Sequence, residues 1–146
     1  MEILLILMLG TFIFLLIASI KDLKTLKVPN SLTAWFFGFV ICVNFIKAIN
    51  AWSYWIFFKP VLYMLGFFMV GVYLHKKKIW GFGDTKIVAV VGGVINNLYL
   101  SIQFFSVLMI MSMLFYYFLK LRVGEKKANR VIPYVPFIFL AWVAIT

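Results

Sequence analysis

Two short stretches of this chain combine an aspartate with residues that shape the backbone, each at the end of a long apolar run. Asp22 lies in the first, between Lys21 and Asn30, and Asp84 lies in the second, Gly81 to Lys86. An ionised carboxylate at the edge of a bilayer is costly unless something pairs with it. Two neighbouring carboxylates share one proton, so that one can activate water while the other polarises a carbonyl. The pair is a candidate for hydrolytic acid/base chemistry without a metal or other cofactor.

The stretch around Asp22 predicts a loop of defined shape. Asp22 directly follows the first apolar run, and Pro29 forces the chain out of helical geometry. Asn30 and Ser31 offer an N-cap for the next helix. The simpler interpretation is a solvated loop acid that the adjacent lysines neutralise. The residues alone leave both interpretations open.

The stretch around Asp84 predicts a tight approach followed by a helix. Gly81 and Gly83 flank a phenylalanine, permit backbone torsions closed to other residues and let another chain come close. Asp84 then lies at the start of a helix, where the helix dipole favours a carboxylate. The simpler interpretation is a flexible turn with a helix-capping aspartate. The sequence by itself does not bring Asp84 next to Asp22.

Composition predicts the class of protein that must position these residues. Of 146 residues, 66% are hydrophobic, more than a soluble domain of this size can bury. A membrane-spanning helix needs about 20 mostly apolar residues. We therefore predict one all-α membrane domain over 1–146, with a turn at Asn96-Asn97 or, alternatively, an irregular unit joining the fourth and fifth helices. The six predicted helices run from Ile3 to Ile20, Ser31 to Asn50, Trp52 to Leu74, Ile87 to Leu98, Tyr99 to Leu119 and Val131 to Thr146.

Charge placement predicts the orientation of these helices. Cytoplasmic loops carry an excess of Lys and Arg. If the N-terminus is outside, twelve of the fourteen basic residues fall on the cytoplasmic side, and only Lys47 and Lys59 fall outside. This asymmetry favours six transmembrane helices with both termini outside. Asp22 and Asp84 then both face the cytoplasm, so the active site is expected at the cytoplasmic face of the cell membrane.

Several other classes of site are disfavoured. The net charge of +10 follows from basic inner loops that favour this topology and anionic lipids, and the short clusters lack the aromatic residues of a nucleic-acid surface. One cysteine, Cys42, is expected to be a packing residue, and with one histidine and four acids it argues against a zinc site. We expect no metal and no cofactor. Ala89, Gly92 and Gly93 are small enough to let the fourth helix pack closely among its neighbours.

Taken together, these motifs resemble a known family. Asp22-Leu23-Lys24, Val28-Pro29-Asn30 and Gly81-Phe82-Gly83-Asp84-Thr85-Lys86 are similar in order and spacing to the type IV prepilin peptidases, which are membrane aspartic proteases of the G-x-G-D class. The late stretch Ile132-Pro133-Tyr134-Val135-Pro136-Phe137 resembles the Pro-rich start of that family's last helix. The extra cytoplasmic segment with paired cysteines that many bacterial members carry is not seen. We therefore expect the compact, peptidase-only type, without methylation.

The resemblance implies a function and a set of site residues. The expected activity is removal of the short basic leader from type IV prepilin-like or archaellin-like precursors, with Asp22 and Asp84 as the catalytic dyad. Pro133 and Pro136 are expected to interrupt regular helix, leaving backbone that an extended substrate could pair with. The bilayer is the other expected partner, and the oligomeric state is open. The supporting or substrate-binding positions that the resemblance marks are Lys24, Pro29, Asn30, Gly81, Gly83, Lys86, Pro133 and Pro136.

Three alternatives remain open. The first is a preflagellin or archaellin peptidase. The second is a G-x-G-D protease of the presenilin or signal-peptide-peptidase type, against which we count the charged loop expected at Asp22. The third is a small transporter or channel subunit, which predicts more polar residues along the helices than Asn44, Gln103 and scattered serines.

Overall fold

The protein is all-helical throughout the part that the structure, a computed structural model, describes: residues 2–77, 81–123 and 133–146. The predicted all-α class is therefore confirmed for these ranges. The predicted helix start at Val131 and the basic residues Lys78, Lys126, Lys127 and Arg130 lie outside them. The helices are α1 (Glu2–Thr25), α2 (Asn30–Asn50), α3 (Tyr54–Lys76), α4 (Phe82–Ile95), α5 (Leu98–Val123) and α6 (Val135–Ile145).

Four of these helices are long and apolar enough to cross a membrane. They are α1, α2, α3 and the Leu98–Arg122 part of α5. The 14 residues of α4 span about 21 Å, and α6 has 11 residues. Both are shorter than the roughly 20 residues that a membrane crossing needs. Six transmembrane crossings with both termini outside thus remain a prediction.

The end of α1 differs from the sequence prediction. The helix continues five residues past Ile20, so Asp22 lies in its last turn and not in a loop. Lysine is a good helix former and is favoured at a helix C-terminus, which explains why α1 continues beyond the end of the apolar run. Leu26 then adopts a left-handed conformation (φ 53°), and its N–H donates to the carbonyl oxygen of Asp22 at 2.8 Å. The connection to α2 is therefore much shorter than the loop predicted from the sequence.

The predicted cap of α2 is also wrong. Pro29 occupies the N-cap position in an extended conformation, without a side-chain cap hydrogen bond. Asn30 is already the first helical residue, and its side chain accepts a hydrogen bond from Lys86 of α4 instead. Proline suits this position because its fixed φ matches the extended conformation and the missing N–H is not needed there.

The short helix α4 lies at the centre of the molecule. It contacts each of the other five described helices, and α3 most extensively. Every residue from Ile87 to Gly93 is buried, as expected for a helix that is covered on all sides. The prediction that small residues permit this packing is confirmed. A Cβ atom at Gly92 would come within 2.5 Å of the Phe67 ring, and one at Gly93 would overlap Met64.

A further glycine, in α3, sets the height at which α4 begins. A Cβ atom at Gly71 would lie 2.6 Å from the methyl carbon of Thr85 and 3.2 Å from its Cα. The Thr85 hydroxyl donates to the carbonyl oxygen of Gly71 at 3.1 Å. Since Gly71 lies five residues before Lys76, Thr85 lies about 7.5 Å, and Asp84 about 6 Å, below the end of α3. The first turn of α4 is therefore recessed behind the end of α3.

The predicted turn between α4 and α5 is confirmed. Asn96 adopts a left-handed conformation (φ 45°) that ends α4, which asparagine tolerates better than most residues. The side-chain oxygen of Asn97 accepts the N–H groups of Tyr99 and Leu100 at 2.9 and 3.2 Å. Two separate helices follow from this arrangement, and the single irregular unit is excluded.

We expect Gly71→Ala to destabilise the fold. The new Cβ atom meets backbone and a buried side chain that cannot move aside, which typically costs about 1 to 3 kcal/mol of unfolding free energy. Gly38→Ala in α2 is the matched control, because nothing lies within 4 Å of its Cβ position and alanine favours the helix. Thermal unfolding of the purified protein in detergent measures the difference. Equal midpoints for the two variants would contradict the role of Gly71.

Candidate active site

Asp22 is buried and is held by the start of the last helix. Its side chain is 5% exposed, and its Oδ2 atom accepts the backbone N–H of Val135 at 3.1 Å. Val135 is the first residue of α6, where backbone N–H groups lack partners within their own helix and carry the positive end of the helix dipole. The hydrogen bond therefore places a carboxylate where negative charge is stabilised, and it joins α1 to α6.

Asp84 lies in the first turn of α4 and is half-buried. Its Oδ2 atom accepts the backbone N–H of Gly81 at 3.1 Å. The next residue, Thr85, is fully buried and is anchored to α3 through Gly71. The prediction that Asp84 begins a helix is confirmed. Each of the two carboxylates thus accepts a backbone N–H at the start of a helix.

The two carboxylates lie close enough to act on one another. Burial first, and the charge of Asp22 second, raise the pKa of Asp84 from its ordinary 3.8 to about 7, although the Gly81 N–H opposes the shift. Burial and the charges of Asp84 and Tyr116 also raise the pKa of Tyr134 to about 12. Tyr134 immediately precedes Val135, whose N–H is bonded to Asp22. One phenol and two carboxyl groups therefore lie in one site. Because the pKa of Asp84 is about 7, the two carboxyl groups have one proton to share near neutral pH.

A second link joins the two sequence motifs. The Lys86 ammonium donates to the Asn30 side-chain oxygen at 3.0 Å, and it lies 5.0 Å from the centre of the Phe82 ring. Asn30 therefore connects α2 to α4 instead of capping its own helix. The segment that contains Asp22 is thus held at two places, to α6 through Val135 and to α4 through the Asn30–Lys86 pair.

The glycines beside Asp84 matter because they have no side chain and so leave room. The prediction that they adopt unusual backbone torsions is wrong. Gly81 has an ordinary extended conformation (φ −71°, ψ 153°). A Cβ atom there would lie 3.0 Å from the Asp84 Oδ2 atom, so glycine lets the N–H and the carboxylate meet. Gly83 is exposed, with nothing within 4 Å of its Cβ position. It leaves an open surface next to Asp84.

The remaining predicted positions have different environments. Pro133 directly precedes the N-cap residue Tyr134, but Pro136 lies within the first turn of α6. The expectation that both prolines interrupt the helix is wrong for Pro136, because a residue in the first turn has no intrahelical hydrogen bond to lose. Lys24 is exposed in the last turn of α1, and Pro29 is exposed at the start of α2.

Sequence reasoning assigned no role to Gly71, Thr85 or Tyr134. The hydroxyl of Tyr134, between two prolines in an otherwise apolar stretch, was the one available signal for this residue. Thr85 follows a charged residue at the start of an apolar run, which alone does not predict a bond to another helix. Gly71 carried no local signal, because its partner lies 14 residues away.

Exposed cations surround this end of the molecule. They come from the ends of α1, α3 and α5 and from the connection after α1. A negatively charged membrane surface would be attracted to such a rim. The exposed basic residues described at this end are Lys21, Lys24, Lys27, Lys76, Lys77, Lys120 and Arg122.

We expect Asp22→Asn to lower the pKa of Asp84. The substitution removes a neighbouring negative charge, while burial, the larger cause, keeps the pKa above its ordinary value of 3.8. The carboxyl C=O stretch in an infrared pH titration measures this, and the band is assigned by its loss in Asp84→Asn. Glu2→Gln, at the exposed start of α1, is the control and should leave the titration unchanged. An identical titration of Asp84 in wild type and Asp22→Asn would show that the two groups do not interact.

Comparisons with known proteins identify the family. Searches of curated proteins and of solved structures found no significant match. The sequence model of the type IV leader peptidase family matches residues 9–121. The matched range contains Asp22, Asp84 and most of the helices that position them. By this match over most of its length, the chain belongs to the type IV leader peptidase family.

Proposed function

We propose that this protein is a membrane-embedded aspartic endopeptidase that removes the short basic leader from type IV prepilin-like precursors at the cytoplasmic face of the cell membrane. The observation that carries the proposal is that Asp22 and Asp84 each accept a backbone N–H at a helix start and lie near enough for the charge of Asp22 to raise the pKa of Asp84, in a chain that belongs to a leader peptidase family. Family membership favours peptide hydrolysis over the transporter or channel alternative. The archaellin-like precursors remain a second substrate class with the same chemistry.

The chemistry follows from the unequal protonation of the pair. Near neutral pH Asp84 keeps its proton, since its pKa is raised to about 7 by burial and by the charge of Asp22. Asp22, beside the Val135 N–H, is the ionised member that removes a proton from water. The hydroxide adds to the scissile carbonyl carbon while Asp84 donates its hydrogen to the carbonyl oxygen. As the resulting diol collapses, one diol hydroxyl returns its proton to Asp84 and the C–N bond breaks, while the proton held by Asp22 passes to the leaving amine.

The helical environment of Asp22 removes one argument against the presenilin-type alternative, because the expected charged loop is not there. The proposal rests instead on the position of Asp22 within its helix. Three residues after it α1 ends, and exposed lysines surround this end. A dyad at a helix end suits a scissile bond at the membrane surface, whereas cleavage within the bilayer needs a dyad nearer the middle of the helices.

A basic leader meets a basic rim, so charge alone does not draw the precursor in. Opposed like charges weaken binding, although salt and anionic headgroups screen them. The binding free energy must come from the apolar segment that follows the leader.

Replacing either aspartate should abolish leader cleavage. We expect Asp22→Asn and Asp84→Asn each to lower the rate at least about a hundredfold, since each removes one half of a proton transfer. Co-expression with a candidate precursor, scored by the shift in its size, measures this. Glu2→Gln is the matched acid control and should cleave normally. Normal cleavage by either dyad variant would overturn the assignment.

The pH dependence of cleavage should report the shared proton. Asp84 loses its proton as the pH rises through about 7, which leaves both carboxylates ionised and no acid for the carbonyl oxygen. The kcat/KM for a precursor peptide should therefore fall about tenfold per pH unit above this value. A rate that keeps rising to pH 9 would contradict the protonated role of Asp84.

A further inference from the structure

An apolar groove opens to the outside of the molecule between α2, α3 and α4. Its volume is about 580 Å³, which is within the range of pockets that enclose a small ligand. Ala34 and Phe37 of α2 line it and are exposed, and Phe68 of α3 and Ala89 of α4 form the other walls. Because α2 and α3 are both long and apolar enough to cross a membrane, the groove faces the acyl chains of the bilayer.

The length of the groove matches one leaflet of a membrane. Its lining on α2 begins at Asn30 and continues to Ile41, which is about 16 Å along the helix. The hydrocarbon core of a bilayer is about 30 Å thick, so one leaflet contributes about 15 Å. The groove therefore extends from the level of the headgroups, at the start of α2, to about the middle of the membrane.

The groove is polar at the Asn30 end. Lys86 lines this end together with Asn30 and Thr33, and its ammonium donates to the Asn30 side-chain oxygen at 3.0 Å. This hydrogen bond leaves further N–H donors on the ammonium group and both N–H donors on the Asn30 amide. A group with a negative charge and several acceptor oxygens, such as a phosphate, fits this arrangement of donors.

The groove and the dyad occupy different sides of α4. Lys86 follows Asp84 by two residues, which turns it about 200° around the helix axis. Neither aspartate of the dyad is among the described residues that line the groove, so a peptide bond held there is not presented to Asp84. The occupant of the groove is therefore better sought in the membrane lipid that surrounds this surface than in the substrate.

We infer that this groove binds an anionic phospholipid of the leaflet on the dyad's side, with an acyl chain along α2 and α3 and the phosphate at Lys86 and Asn30. The polar end at headgroup level and the apolar wall of leaflet length fit the two parts of such a lipid. A headgroup with a net negative charge is favoured over a zwitterionic one, because the exposed Lys27, three residues before Asn30, repels a headgroup cation. The lipid would join α2 to α4 at the same place as the Lys86–Asn30 bond and so stabilise the protein.

Thermal unfolding with added lipid tests the phosphate site. The full-length protein is purified in a neutral detergent, and phosphatidylglycerol or phosphatidylcholine with the same acyl chains is added. Phosphatidylglycerol at about ten times its Kd should raise the Tm of the wild type by about 4 °C, and phosphatidylcholine should raise it less. Lys86→Gln should remove this difference between the two lipids, whereas Lys86→Arg, which keeps the charge, should retain it.

The control for this measurement is Lys24→Gln, which removes an exposed lysine of α1. No described residue of α1 lines the groove, so this variant should keep the preference for phosphatidylglycerol. Equal shifts with both lipids in the wild type overturn the inference. A preference that survives in Lys86→Gln also overturns it, because the preference then reflects general attraction to the basic end of the molecule.

Thiol protection tests the acyl-chain site. Ala34→Cys is made together with Cys42→Ser, because Cys42 is exposed and is not the packing residue predicted from the sequence. Phosphatidylglycerol at about ten times its Kd should slow the reaction of this variant with a maleimide about tenfold, since only about one site in eleven is then empty. Ala144→Cys in the same background is the control, since Ala144 is exposed on α6 away from the groove, and its rate should not change. An unchanged rate for Ala34→Cys overturns the inference.

The same variant separates the lipid from other occupants. A synthetic precursor peptide that protects Ala34→Cys better than phosphatidylglycerol does would assign the groove to a peptide and overturn the inference. A disulfide that forms between two copies of Ala34→Cys and is not prevented by the lipid would assign this face to self-association and overturn it as well. Neither measurement involves cleavage, so the outcome does not depend on the proposed function.

Discussion

The whole arrangement depends on how closely α3 and α4 approach. Gly71, Gly92 and Gly93 each occupy a place where a Cβ atom would meet a side chain of the facing helix. Between two apolar helices in lipid, van der Waals packing and buried hydrogen bonds must supply the attraction. The Thr85 hydroxyl adds such a bond within this contact. Because α4 is packed in this way, its first turn, and with it Asp84, is held at a defined depth.

The two aspartates show how a fold can hold two carboxyl groups close together at a moderate cost in free energy. Each accepts a backbone N–H from the start of a helix, through Val135 for Asp22 and Gly81 for Asp84. Helix starts offer unpaired donors and a favourable dipole, so neither carboxyl group needs a neutralising lysine. Burial and mutual repulsion still keep the pKa of Asp84 near 7. The result is a pair with one proton to share, as acid/base hydrolysis requires.

Exposed basic residues surround the end of the molecule at which the two aspartates lie. Exposed cations at the ends of α1, α3 and α5 favour an anionic membrane surface. They would not favour a basic leader, so on the proposed function the binding free energy must come from apolar contact. Lys86 differs from these cations because it is only half-exposed and is oriented by Asn30. A charge in such a position is screened less than one on the rim.

The sequence determined the all-helical class, the turn at Asn96-Asn97 and the small residues of α4, and it indicated the two aspartates as candidate catalytic residues. These features follow from the apolar composition, from local helix and turn propensities and from the scarcity of acidic residues. All three can be read from the sequence without knowledge of the fold. The tertiary structure alone decided that Asp22 lies inside α1, that Asn30 bonds Lys86, and that Gly71 fits Thr85. It also brought Asp22, Asp84 and Tyr134 into one site. Each of these depends on a partner far along the chain, and no local pattern encodes which helix ends meet.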